Sequence, residues 1–346
     1  ITKPATATAL TSHRMCEVFV ETGALPPHTF GLIAGSPYDL TSHMRFGDVL
    51  AFTGSSGLGQ RLKTQLVSDG ILVNVEADSL NAAILGPDVE PGDETWDLFI
   101  RDVFRDLTQK TGQKCTAIRR VFVPMDRADD VAEALIDAAS RLKIGDPALR
   151  DVRMGPVVSN QQHEDVFEGI AKLGAQVQQI HGSGRPKELV GVDGDGGYFV
   201  DVHLFRAADP AASRAADVVH GHEVFGPAAT LLPYDGSPAD VVALAALGQG
   251  GLVASVYSDD RRFQKDVVLG IAPYHGRVTM GSAKIAESSP GPGTVLPQLV
   301  HGGPGRAGAG EELGGLRGLE LYMQRTAIQG YNPWVEKIFD GRGPLS

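Results

Sequence analysis

Apolar positions along the chain recur in two rhythms, short unbroken runs and stripes at helical spacing, and the two alternate. Phe30-Gly-Leu-Ile-Ala-Gly35 and Asp48-Val-Leu-Ala-Phe-Thr-Gly54 are compact apolar runs closed by glycine, the pattern of buried strands. Thr11–Thr22, with Met15, Val18 and Phe19 behind a Ser/Thr-rich entry, and Gly59–Val67 read as helices. Trp96–Thr111 sets Phe99, Val103 and Leu107 on one helical face and stops at Gly112. A strand follows over Arg120-Val-Phe-Val-Pro124, then a helix from Asp129 to Lys143, halted by Gly145-Asp146-Pro147. Further helices are expected over Asn160–Leu173 and Ala239–Leu247. Strands alternating with helices imply a parallel sheet with crossovers, the α/β class.

Glycine and proline punctuate the rest. Gly182–Gly197 and Ser288–Pro297 are expected as surface loops. The stretch His301-Gly-Gly-Pro-Gly-Arg-Ala-Gly-Ala-Gly310 is glycine-dense without being repetitive, which grants backbone freedom or close approach to something. Tyr331–Ser346, carrying Trp334 and Phe339, is expected either to dock on the body or to begin a linker. The chain opens on Ile1-Thr2-Lys3-Pro4-Ala5, like the end of a strand already under way, so residues upstream are expected.

Composition narrows the class. With 346 residues the chain is long enough for about two to three domains of roughly 100–200 residues. Its 42 acidic against 31 basic side chains give a net charge of −11, which argues against a broad nucleic-acid-binding face. No apolar run approaches the ~18 residues of a membrane span, so a cytoplasmic enzyme is expected. Two cysteines, Cys16 and Cys115, exclude a disulfide scaffold and a four-cysteine metal site.

Four places could carry chemistry. Phe52-Thr53-Gly54-Ser55-Ser56-Gly57 sits where a strand hands over to a helix. Small residues there would let a pyrophosphate approach a helix N-terminus, although the same residues suit an ordinary strand–turn–helix junction. Cys115, between Lys114 and Thr116, is either a small core residue or a nucleophile whose thiolate a nearby cation would favour. Glu76 follows a strand and is either a solvated carboxylate at a strand end or a functional group where α/β folds build active sites; Asp78 competes with it. His220-Gly-His222-Glu223 has no accompanying metal-ligand spacing, so surface histidines are expected and no metal ligand is named.

Taken in order, these segments resemble the aldehyde dehydrogenase superfamily. Lys3-Pro4-Ala5 is similar to its Lys-Pro-Ala/Ser strand end, Phe52-Thr53-Gly54-Ser55 to its pyrophosphate turn, and Gly112-Gln113-Lys114-Cys115-Thr116 to the motif around its nucleophile. Glu223-Val224-Phe225-Gly226-Pro227 is similar to its Glu-x-Phe-Gly-Pro motif. The resemblance implies an aldehyde dehydrogenase fold: a Rossmann-like cofactor domain, here residues 1–78, a catalytic domain, 79–300, and a return to the cofactor domain with an oligomerisation segment, 301–346. It implies Cys115 as nucleophile and Glu76 as the base that hydrolyses the thioester. It also implies cofactor contacts at Lys3, Thr6, Gly35, Ser36, Thr53, Gly54, Ser55, Glu223 and Phe225. Part of the family's N-terminal cofactor domain, with the asparagine that completes its oxyanion site, would lie upstream of residue 1.

The departures point to one branch. Glu76-Ala-Asp-Ser-Leu-Asn81 replaces the usual Glu-Leu-Gly-Gly-Lys, and Glu76 lies 39 positions before Cys115, a few more than the family norm. Together with Leu296–Arg306, Glu311-Glu-Leu-Gly-Gly315 and Tyr322–Ala327, this resembles the dehydrogenases that oxidise CoA-linked semialdehydes in phenylacetate and benzoyl-CoA breakdown. NADP is the cofactor the resemblance implies, with NAD as the other possibility. The NAD-preferring pattern often carries a glutamate where Thr6 stands, and Lys3 would attract a 2′-phosphate. A free aldehyde as substrate, and a fragment that only binds cofactor, are the competing readings. A homodimer or larger assembly is expected, joined through a strand near Tyr322–Gln329.

Overall fold

The computed structural model describes residues 1–312 and 315–339. Its centre is a seven-stranded sheet ordered β5-β6-β7-β4-β3-β8-β9, parallel throughout except for β5. The strands are β3 (Asn81–Leu85), β4 (Ile118–Pro124), β5 (Gln178–His181), β6 (His203–Arg206), β7 (Ala228–Tyr234), β8 (Gly251–Tyr257) and β9 (His275–Gly281). A separate parallel pair, β1 (Val49–Thr53) with β2 (Leu72–Glu76), precedes them, and β10 (His301–Gly302) pairs antiparallel with β11 (Glu311–Glu312).

Every residue of β3, β4, β7 and β8 is buried, because helices cover both faces and leave no wet side. One face packs Phe122, Phe205 and Leu232 against Val166, Ile170 and Leu173 of the helix Asn160–Gly174 and against Leu244 and Phe263. The other packs Val121, Val123 and Leu231 against Phe99, Val103 and Leu107 of Glu94–Thr108 and against Val131 and Leu135 of Ala128–Ser140. The helical stripe read from the sequence is therefore the buried stripe. Pro238–Ala246 is the expected helix near the chain's Ala239.

The first quarter of the chain departs from expectation. Helices form at Ala9–Thr22 and Ser56–Leu66, but no residue before Gly59 is buried. Phe30–Gly35 is extended and holds one bridge, Thr2 to Leu32, instead of a buried strand. β1 is half-exposed, with β2 as its single ladder partner among the described residues. An apolar run predicts extended backbone; burial requires a second layer, which these runs do not meet here.

Other corrections are local. Gly182–Gly197 is a surface loop, but Gly291 and Pro292 inside Ser288–Pro297 are buried. Gly291 lies against the Arg105 guanidinium, and Gly293 against the Lys114 amine. Tyr322–Gln329 pairs with no strand among the described residues of the single chain, and Tyr322, Met323 and Ile328 are exposed; the expected pairing was with a neighbouring subunit, which a single chain does not contain. Tyr331–Phe339 holds the helix Asn332–Phe339 with Trp334 and Phe339 exposed, so it does not dock; residues 340–346 lie outside the described residues. Leu313 and Gly314 of the Glu311–Gly315 motif are also outside them. Among the described residues no helix is long and apolar enough to cross a membrane.

His220 is not a surface histidine. Its ring is 5 % exposed, accepts from Arg120 Nη1 at Nδ1 (3.2 Å) and donates from Nε2 to the Ser213 carbonyl (2.8 Å). Arg120 itself is buried on the carbonyls of Leu80 and Ala245. Burial first, and the Arg120 charge second, lower the His220 pKa from 6.5 to about 4. Between those values the unfolded chain binds a proton that the folded chain refuses, so stability falls as pH drops through that window. Urea unfolding of His220→Gln should show a shallower loss of stability from pH 6.5 to pH 4 than the parent; an unchanged slope would assign the acid sensitivity elsewhere.

Candidate active site

Three polypeptide segments converge at the carboxyl end of β2. Glu76 is the last residue of that strand, and its register partner is Thr53, the last of β1. Gly54 N–H donates to the Glu76 carbonyl (3.1 Å), which holds the Thr53-Gly54-Ser55 turn beside the carboxylate. A helix then starts at Ser56, without a side-chain cap on its first turn. Free N–H groups there are the anion-binding element of a strand–turn–helix junction.

Cys115 comes from a tight turn behind the helix Glu94–Thr108. Lys110 and Thr111 adopt positive φ, 54° and 57°, and Gly112 follows at 68°. A Cβ on Gly112 would lie 2.2 Å from the Gly226 oxygen, so that position is restricted to glycine by packing as well as by φ. Asn81 anchors the turn: its Nδ2 donates to the carbonyls of Cys115 and Ala117, both at 2.8 Å. The Asn81 Oδ1 accepts from Ser79 Oγ (2.6 Å) and Val253 N–H (2.9 Å). The nucleophile candidate is thereby tied to two adjacent strands of the buried sheet.

The segment Glu223–Pro227 is fastened to the same turn by Arg119. The guanidinium is 4 % exposed and donates to the carbonyls of Gly112 and Gly226, each at 2.7 Å, and to Glu223 Oε1 (3.4 Å). Glu223 Oε2 accepts from the Ser79 N–H (2.9 Å). Burial pushes the Glu223 carboxyl upward, and Arg119 pulls it back. Phe225, 38 % exposed, receives the Arg119 charge over its ring.

A cleft of about 560 Å³ joins these parts, lined by Thr53, Gly54, Ser55, Glu76, Cys115, His222, Glu223 and Phe225, with Ala5 at its edge. Lys3, Thr6 and Ser36 are exposed and do not line it; Gly35, half-buried at φ 113°, does not either. Asp78 also borders the cleft but accepts from Ser56 Oγ (2.6 Å), which commits it to the helix start. Lys114, the cation nearest Cys115 in sequence, is held by Asp106 (2.9 Å) and Gln109 (2.8 Å).

His301 is the residue that sequence reasoning missed. Its Nε2 lies 3.7 Å from Cys115 Sγ and 3.2 Å from Glu76 Oε2, and the three heteroatoms sit within 4.8 Å of one another. The sequence signal was the glycine-dense run that His301 opens. Those glycines serve close approach: a Cβ on Gly276 would meet the Gly302 oxygen at 1.6 Å, and one on Gly308 or Gly310 the Val75 oxygen at 2.3 Å.

Comparison with known proteins shows the family. The sequence profile of the aldehyde dehydrogenase family matches residues 1–328. The chain is 42% identical over 304 residues to 3,4-dehydroadipyl-CoA semialdehyde dehydrogenase of Aromatoleum evansii, covering 87% of this chain and 58% of that protein. It is 40% identical over 180 residues to Protein MaoC of Klebsiella aerogenes, covering 51% of this chain and 50% of that protein. Among solved structures, betaine aldehyde dehydrogenase of Staphylococcus aureus in complex with NAD+ matches with a TM-score of 0.78 at 25% identity, covering 92% of this chain and 59% of that one. The chain thus spans about half to three fifths of the length of these relatives.

The Arg119–Glu223 pair gives a test of the site's scaffold. Arg119→Met would leave a buried carboxylate without its counter-charge, at a cost of about 3–5 kcal/mol in urea unfolding. Adding Glu223→Gln should recover part of that loss. Simple additivity of the two losses would deny the coupling.

Proposed function

The chain belongs to the aldehyde dehydrogenase family, and on that premise we propose that it oxidises a CoA-linked semialdehyde to the carboxylic acid, with NADP+ as oxidant, through a thioester on Cys115. The observation that carries the proposal is the convergence of Cys115, Glu76 and the Thr53–Ser55 turn on one cleft. The 42% identity to a dehydroadipyl-CoA semialdehyde dehydrogenase supports the substrate class.

The residues present fit a dinucleotide. The uncapped helix start after Ser55 offers N–H groups to a pyrophosphate, and Phe225 lines the same cleft with a partly exposed ring. Bound there, the nicotinamide supplies the hydride acceptor. Cys115 Sγ attacks the aldehyde carbon to form a thiohemiacetal, whose oxyanion meets the Cys115 backbone N–H. Among the described residues no acceptor takes that N–H. After oxidation leaves an acyl thioester on Cys115, Glu76 removes a proton from the attacking water. A base in that position favours release of the free acid over transfer to a second thiol.

NADP+ is the preferred form in this reading because Thr6 brings no carboxylate to repel a 2′-phosphate and Lys3 brings a positive charge. The enzyme is read as cytoplasmic and oligomeric, with the exposed run around Tyr322 and Ile328 pairing with a neighbouring subunit.

Two measurements on the full-length protein decide these points. With a CoA-linked semialdehyde, Cys115→Ala should give no reduced cofactor, whereas Glu76→Gln should give one equivalent in a burst and then stall. Normal steady-state turnover by Cys115→Ala would overturn the nucleophile assignment, and a CoA-thioester product in the parent would overturn hydrolysis. Separately, kcat/KM should be higher with NADP+ than with NAD+, and Thr6→Glu should cut the NADP+ value by on the order of tenfold. Better kcat/KM with NAD+ in the parent would refute the preference.

A further inference from the structure

The mechanism above leaves one buried group beside the reacting sulfur without a task. His301 faces Cys115 Sγ and Glu76 Oε2 with the same ring nitrogen, Nε2, while Nδ1 is buried without a hydrogen-bond partner among the described residues. A carboxylate oxygen at 3.2 Å accepts and cannot donate, so Nε2 carries the hydrogen. That single N–H points between two acceptors and cannot serve both well at once. We propose that His301 is a catalytic residue acting as a shared hydrogen-bond donor. Its Nε2–H holds the Cys115 sulfur as the charged nucleophile, turns to Glu76 while the sulfur is acylated, and returns to the sulfur as it leaves.

The chemistry of the sulfur drives the exchange. A thiolate is a charged acceptor, and hydrogen bonding to the charged form favours it. A thioester sulfur is neutral and accepts weakly, so after acylation the carboxylate of Glu76 is the better partner. When water has added and the C–S bond breaks, charge returns to sulfur and the donor has its first acceptor back. No bond to His301 forms or breaks, and the proton from water still goes to Glu76.

Three observations support this assignment. The His301 backbone is fixed: Gly302 approaches β9 at Gly276 and pairs with Glu311 of β11, so the ring is delivered by rigid elements. Contact with Cys115 first, and with Glu76 second, raises the His301 pKa to about 10, so the ring keeps its donor through neutral pH. Lys114, the sequence neighbour that could have supplied the donor, is taken by Asp106. Other charges facing the sulfur are the Arg119 and Arg277 guanidiniums, at longer range, and the Glu76 carboxylate. Arg119 is committed to Glu223 and to two carbonyls, and Arg277 donates to the Pro292 carbonyl. His301 is therefore the donor in contact with the sulfur.

The inference rests on Cys115 being the nucleophile but not on the identity of aldehyde or dinucleotide, and alkylation tests it without either. In the full-length protein, iodoacetamide labelling of Cys115 would be followed by peptide mass spectrometry at pH 6 and pH 9, with Cys16 as the internal reference. The parent should label Cys115 at pH 6 well ahead of Cys16. His301→Leu should lose at least about tenfold in the pH 6 rate relative to its own pH 9 rate, with far-ultraviolet dichroism unchanged. His301→Gln, which retains an N–H donor, should recover part of that loss. An unchanged pH 6 to pH 9 ratio in His301→Gln and His301→Leu would overturn the proposal. So would a parent Cys115 that labels at pH 6 no faster than Cys16, a result that needs no variant to fold. Labelling as proposed with no turnover of any CoA-linked semialdehyde would instead leave His301 in place and refute the substrate reading.

Discussion

The site depends on a seam where backbone touches backbone with no side chain between. Residues 302–310 run across the ends of two sheets: Gly302 and Gly303 lie on β9 and β8, and Gly308 and Gly310 lie on the Val75 carbonyl of β2. The Ala77 N–H donates to the Ala307 carbonyl (3.0 Å), and Asn74 exchanges hydrogen bonds with the Glu311 backbone. A Cβ at any of these glycines would occupy the space of a peptide group, not of a mobile side chain that could yield. The seam therefore sets the distance between Glu76, delivered by β2, and Cys115, delivered by the seven-stranded sheet. His301 opens it and stands between the two.

Polar groups do the rest of the positioning, and each is satisfied inside the protein. Asn81 and Ser79 fasten the Cys115 turn to β8, while Arg119 fastens it to Glu223–Pro227. Buried networks of this kind are costly when half-formed and rigid when complete, so they specify one arrangement. Glu223 illustrates the compromise. Both of its oxygens are engaged by the protein, yet the side chain borders the cleft. A carboxylate has lone pairs enough for a further donor, so internal anchoring and a ligand contact are compatible.

The sequence was legible where local chemistry decides structure. The stripe Phe99, Val103, Leu107 and the strand ending at Pro124 formed as read, because periodicity alone separates a buried face from a wet one. Cys115, Glu76 and the Thr53–Ser55 turn were singled out through their resemblance to family motifs, residue type alone having left each of them open, and the fold brings the three to one cleft. What was not legible depends on partners distant in sequence. Phe30–Gly35 was read as buried although it meets only the Thr2 bridge and the Phe19 ring of the first helix, and no residue of it is fully covered. His220 was read as a surface residue although its partner Arg120 lies 100 positions away. His301 stands 186 residues from Cys115, and no local pattern distinguishes it from a histidine in a loop.

The two halves of the cleft are held in different ways. The Cys115 turn hangs from strands buried on both faces, so opening it requires breaking the core. The Thr53–Ser55 turn rides on β1, which is half-exposed and, among the described residues, laddered on one side. A hydride or proton transfer tolerates little misplacement, whereas a long dinucleotide must enter and leave. If accuracy came from the β1–β2 ladder, it would be lost whenever that ladder flexed. Because the glycine seam grips the end of β2, at Asn74, Val75 and the following Ala77, the carboxylate of Glu76 is tied to the Cys115 side of the cleft even though its strand lies outside the seven-stranded sheet.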